Sequence, residues 1–141
     1  MRALELRYPD RVGVRVGYDE GLSHLMFSGG DAVLVPSRFE PCGLTQMYGL
    51  RYGTLPVVAG VGGLADSVIN VNPASMIAGV ATGFVFSPTT GDALAGALRR
   101  LVRLWHEPEA WAQVQRNAMR HPVGWEASAD AYSRLYADLL T

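Results

Sequence analysis

Residues 31–59, DAVLVPSRFEPCGLTQMYGLRYGTLPVVA, decide the architecture. Residues 31–36 (DAVLVP) form a short apolar run that suits a strand buried on both faces, and residues 55–59 (LPVVA) form another. Between them, residues 44–52 read as a helix with Leu44, Met47 and Tyr48 on one side and Gly53 closing it. Upstream, residues 11–17 (RVGVRVG) alternate Val with Arg or Gly as a strand should. Asp19 can cap a helix in which Leu22, Leu25 and Met26 fall at i, i+3 and i+4, with Gly29 and Gly30 ending it. The order strand, helix, strand, helix, strand predicts an α/β fold: a parallel sheet with right-handed crossovers and flanking helices.

Downstream of Gly62 and Gly63, a short helix runs through Asp66 to Val68, followed by a looser stretch over residues 70–75 and a short strand over residues 83–86. The remainder, about residues 90–140, reads as helical. Thr89 with Asp92 suggests a capping box, and Leu94, Leu98, Leu101 and Trp105 make an apolar stripe that leaves Arg99, Arg100 and Arg103 as a solvated face. Pro108 suits the first turn of the next helix, where Trp111, Val114 and Ala118 share a side. A last helix uses Trp125, Tyr132, Leu135, Tyr136 and Leu139.

Composition bounds the function. The chain has 141 residues, 49% hydrophobic and 18% charged, which is enough for one ordinary core and one domain, residues 1–141. A net charge of -1 gives no basic field for nucleic acid, and the apolar stretches fall short of a membrane span. Arg2, Glu5 and Arg7 interrupt the apolar residues at the amino end, so a secretory signal is not expected and cytoplasmic residence is. Cys42 is the only cysteine, which excludes an internal disulfide and a multi-cysteine metal site. No metal and no cofactor are called for.

The chemistry concentrates in residues 36–49, where a buried strand ends and a glycine-containing loop runs into a helix. In open α/β sheets ligands bind outside the carboxyl ends of the strands. Gly43 lets backbone approach a ligand, and the free amides near Gly43, Leu44 and Thr45 at the helix start can receive phosphate oxygens. Glu40 precedes them. A carboxylate repels phosphate, so Glu40 suits the hydroxyls of a sugar carried on that phosphate. On spacing alone, an anion site and a plain structural turn both remain open.

The run SRFEPCGLTQMYGLRYGTLPVV followed by GGLADSV closely resembles bacterial glycogen synthases and plant starch synthases. The likeness extends back through VGYDEGLSHLMFSGGDAVLVP and forward through TGFVF to the helices with Trp125. That resemblance implies the GT-B architecture, two Rossmann-like domains facing across a cleft, with this chain as most of the C-terminal, nucleotide-sugar-binding one. It implies metal-free transfer of glucose from ADP-glucose, or less often UDP-glucose, to the non-reducing end of an α-1,4-glucan acceptor with retention.

By the same resemblance, Glu40 would act at the reacting carbon by holding sugar hydroxyls, and Cys42 and Gly43 would lie against the sugar. Backbone amides of Leu44 and Thr45 would bind the diphosphate. Tyr18, in the GYDE turn, would pack on the nucleotide base or else cover the sheet edge. Cys42 reads as a packed thiol rather than a nucleophile, His24 as a satisfied, partly buried histidine, and Asp66 as a helix brace. Gly62 and Gly63 would allow close approach on the acceptor side, where Val61 stands in place of the family's frequent Thr. The family's donor site also draws on an Arg and a Lys upstream of this segment and on a glycine-rich loop and a His of the missing N-terminal domain. Without them the chain alone is expected to be inactive, and a stand-alone nucleotide-sugar binding module or a non-catalytic interaction fragment remain as alternatives. Val12, Val14 and Val16 are expected near an exposed sheet edge, with self-association as the hazard.

Overall fold

The computed structural model describes residues 1–140, with only the backbone of Ala127. Three strands, β1 (Ala32–Val35), β2 (Leu55–Ala59) and β3 (Phe84–Phe86), form one parallel sheet in the order β1-β2-β3. Ala32 stands opposite Leu55, and Val57 opposite Phe84. Eight helices accompany the strands among the described residues: α1 (Arg2–Arg7), α2 (Glu20–Gly29), α3 (Thr45–Tyr52), α4 (Gly62–Ser67), α5 (Pro73–Ile77), α6 (Gly91–Trp105), α7 (Pro108–Arg120) and α8 (Glu126–Leu139). The fold is therefore a Rossmann-like parallel sheet with flanking helices, as the 31–59 pattern predicts.

The period of two along β2 builds both halves of the core. Leu55, Val57 and Ala59 face one way, into a cluster with Leu50 of α3, Phe84 and Phe86 of β3, Ala97 and Leu104 of α6, and Trp111, Val114 and Ala118 of α7. Val58 faces the other way, where it joins Val35, Leu64 and Val68 beneath α4. All five residues of β2 are buried, which is why its sequence reads as a continuous apolar run. Pro56 is tolerated in this central strand, and Phe84 at 0% exposure is the largest fully buried side chain.

Several expectations are corrected. Residues 11–17 form no strand: the N–H groups of Arg11 and Val12 donate to Tyr8 O at 3.0 and 2.9 Å, and Val14 N–H donates to Glu5 Oε1 at 2.8 Å. Val12 and Val14 keep the alternation by being partly buried, while Val16 is exposed. β1 is consequently paired on one side only, and Leu34 in its middle is exposed rather than buried. α2 does begin at Asp19, whose carboxylate accepts Leu22 N–H. Its packed side carries His24 and Phe27, not Leu25 and Met26, because Phe27 and His24 meet the Tyr48 and Tyr52 rings.

In α3 the buried side is Gln46, Gly49 and Leu50, and Leu44 and Tyr48 lie outside it. The cap of α6 is Thr90, which accepts Ala93 N–H, one residue beyond the expected Thr89. Leu94 and Leu101 of the expected stripe pack against the core beside the buried Ala97 and Leu104, whereas Trp105 is exposed. Arg100 is partly buried rather than part of a solvated face: it donates to Val71 O and Val85 O at 3.1 and 2.9 Å and to Asn70 Oδ1 at 3.3 Å. The α8 stripe of Tyr132, Leu135, Tyr136 and Leu139, with Trp125 before it, is exposed rather than buried. The expectations for α7 hold, with Pro108 at its start and Trp111, Val114 and Ala118 buried.

Candidate functional site

The carboxyl ends of β1 and β2 carry two loops, residues 36–44 and 60–61, that lock together. Gly63 N–H points at the carbonyls of Glu40 and Pro41, each at 3.3 Å. An alanine methyl at Gly62 would lie 2.1 Å from Glu40 O, and one at Gly63 would lie 2.4 Å from Cys42 O, so only glycines allow the two backbones this close. Ser67 Oγ donates to Gly63 O at 2.6 Å and accepts from Gln46 Nε2 at 3.2 Å, which ties α4 to α3 beneath the loop.

Gly43 makes the turn into α3 in the left-handed region at φ 74°, where a β-carbon is disfavoured. Leu44 follows as the N-cap at φ -105° and ψ -26°, and no side chain caps the helix. The N–H groups of Gly43, Leu44 and Thr45 accordingly find no acceptor among the described residues. A helix amino terminus with unmatched N–H groups carries roughly half a positive charge and favours anions.

Glu40 is half-buried beside that terminus. Its Oε2 accepts from Ser37 Oγ at 3.4 Å, and its Cγ lies 3.1 Å from where a Gly43 methyl would stand. The structure thus brings Glu40, Gly43, Leu44 and Thr45 to one place. Cys42 belongs to the same loop, but its thiol is exposed and free rather than packed, because the loop turns its backbone toward Gly63. Tyr18 sits just before the α2 cap and is 92% exposed, so it covers no sheet edge. His24 is satisfied as expected, with Nδ1 2.9 Å from Tyr52 Oη. Asp66 is exposed within α4 itself.

Pro36, Arg38, Phe86, Thr89 and Gly91 line a hollow of about 160 Å³ at the ends of β1 and β3. Pockets that enclose small molecules run to roughly 300–1,000 Å³, so the strand ends present an open face rather than a closed pocket. No group of three or more His, Cys, Asp or Glu side chains that could hold a metal occurs among the described residues, and no described helix is long and apolar enough to cross a membrane.

The family profile described as "Glycosyl transferases group 1" matches residues 2–118. The chain belongs to the group 1 glycosyl transferases. Within this glycosyl transferase family it is 72% identical over 140 residues to a glycogen synthase of Cereibacter sphaeroides (strain ATCC 17023), covering 99% of this chain and 29% of that protein. A glycogen synthase of Haemophilus influenzae is 53% identical over 139 residues, again across 99% of this chain and 29% of the relative. The chain therefore spans about 29% of the length of the curated relatives it matches. Among solved structures, the catalytic domain of starch synthase IV from Arabidopsis thaliana, bound to ADP and acarbose, superposes with a TM-score of 0.82 at 33% identity over 97% of this chain and 28% of that one. Sucrose-phosphate synthase from Thermosynechococcus elongatus superposes at 0.71 and 27% identity, covering 99% of this chain and 33% of the other.

Sequence reasoning missed Gln46 and Ser67. A glutamine in the first turn of a helix reads as surface, and the only available signal was its place three residues after a turn glycine.

Proposed function

We propose that the chain is the C-terminal, donor-binding domain of a glycogen or starch synthase, residues 1–141, that acts in the cytoplasm. The whole enzyme transfers glucose from ADP-glucose, with UDP-glucose as the lesser alternative, to the non-reducing end of an α-1,4-glucan with retention. The observation that carries this reading is the set of unmatched amides at Gly43, Leu44 and Thr45 with the Glu40 carboxylate beside them. The glycogen synthase relatives and the ADP and acarbose of the starch synthase structure favour a nucleotide sugar and a glucan over other ligands.

In this reading the amides of Leu44 and Thr45 receive the diphosphate, Cys42 and Gly43 lie against the sugar, and Glu40 accepts hydrogen bonds from sugar hydroxyls near the reacting carbon. The exposed ring of Tyr18 is free to stack on the base. When the bond from glucose to the diphosphate breaks, negative charge gathers on the departing oxygens. One preorganised donor to such charge is worth about 3 to 4 kcal/mol. A helix terminus supplies only about half a charge against the two or three on the leaving group, so the rest of the enzyme must supply cations and a facing domain.

Calorimetric titration of wild type and Glu40→Ala with ADP and with ADP-glucose tests the assignment. Hydrogen bonds to a charged group contribute about 1.5 to 3 kcal/mol, so ADP-glucose should weaken by roughly tenfold or more while ADP is unchanged. Equal weakening of both ligands, or of neither, overturns the role of Glu40.

A further inference from the structure

We propose that Gln46 is a positioning residue for the donor diphosphate, acting through the backbone of residues 42–44 without touching the ligand; this rests on the donor reading above. Its side chain is 0% exposed, in the first turn of α3. The two protons on Nε2 are shared among three acceptors: Cys42 O at 3.0 Å, Gly43 O at 2.8 Å and Ser67 Oγ at 3.2 Å. In a trans peptide the C=O and the following N–H point to opposite sides. Drawing Cys42 O inward therefore turns Gly43 N–H outward, and drawing Gly43 O inward turns Leu44 N–H outward.

The backbone conformations agree. Gly43 at φ 74° followed by Leu44 in the right-handed region is the alternation that makes successive N–H groups converge into an anion-binding concavity. Gln46 Oε1 is buried with no partner and lies 2.6 Å from where a Gly43 methyl would be. An unmatched buried acceptor costs about 1–3 kcal/mol, which an apolar side chain of the same length would avoid. The carboxamide thus serves the loop carbonyls rather than the core, and through Ser67 it couples the loop to Gly63.

The test uses the full chain with Gln46→Met, which keeps length without donors, and Gln46→Glu, which keeps shape and replaces the donor nitrogen by oxygen. Each is checked for folding by circular dichroism and titrated with ADP, inorganic pyrophosphate and adenosine. Both variants should bind ADP and pyrophosphate about tenfold or more weakly, with adenosine unchanged. Lowering the pH from about 8 to about 5 should restore the affinity of Gln46→Glu relative to wild type, because a protonated carboxyl again donates to Gly43 O; Gln46→Met should not recover. Unchanged ADP affinity in the folded variants, a matching loss for adenosine, or no recovery of Gln46→Glu overturns the proposal. Should Gln46→Met not fold, the recovery of Gln46→Glu decides alone. Wild type that binds neither ADP nor pyrophosphate overturns the donor reading and this one together, whereas wild-type binding with unaffected variants removes only the role of Gln46.

Discussion

Replacing Gly43 with alanine distinguishes a turn built around glycine from one that merely contains it. Two penalties are legible in the structure. Alanine at φ 74° carries the left-handed penalty of about 1–2 kcal/mol. Its methyl would also stand 2.6 Å from Gln46 Oε1 and 3.1 Å from Glu40 Cγ. A side-chain tip can usually swing aside, but Gln46 is fully buried and held by three contacts of its nitrogen, so relief requires the loop to move. Overpacking of that kind costs about 1–3 kcal/mol. The sum is about 3 kcal/mol, which for a chain of this size lowers Tm by about 12 °C. Urea unfolding of wild type and Gly43→Ala, followed by circular dichroism, measures it. A loss below about 1 kcal/mol with ADP binding intact would refute both the left-handed turn and the rigidity of Gln46.

The contrasting glycine is Gly96, inside α6, where an added methyl meets nothing within 4 Å; Gly96→Ala should stabilise by about 0.5–1 kcal/mol in the same unfolding assay. Arg100→Met should cost about 1–3 kcal/mol by leaving Val71 O and Val85 O without their donor, whereas Arg103→Met on the exposed side of the same helix should change stability by less than about 0.5 kcal/mol. A radiolabelled ADP-glucose assay with the 141-residue chain and glycogen should show no elongation; measurable incorporation would contradict the need for further cationic groups and a facing domain.

What could be read in advance followed from burial on both faces. Residues 55–59 carry no polar residue because β2 is central, so their strand was legible to the residue. Asp19, Pro108 and Gly53 marked helix ends because caps act within one turn. Residues 11–17 misled because alternation describes the faces of a segment and says nothing about whether a partner strand exists. The stripe of α2 was displaced because that helix turns His24 and Phe27 to Tyr48 and Tyr52 of α3, a tertiary choice that i, i+3 spacing cannot rank. At the site, Gly43 and Glu40 stood out by type and place. The burial of Gln46 and the partial burial of Arg100 did not, since they depend on which carbonyls the fold turns toward them: Cys42 O and Gly43 O of the preceding loop for Gln46, and the distant Val71 O and Val85 O for Arg100.

The donor half-site is tested most directly by titrating the ¹⁵N-labelled chain with ADP and following backbone amides by heteronuclear NMR. Saturable shifts confined to Gly43, Leu44 and Thr45, with a second group at Tyr18 and its neighbours, are the predicted result. Saturable shifts that leave those three amides unmoved, or none at millimolar ADP, would contradict the assignment of the α3 amino terminus as the phosphate-binding end of the site.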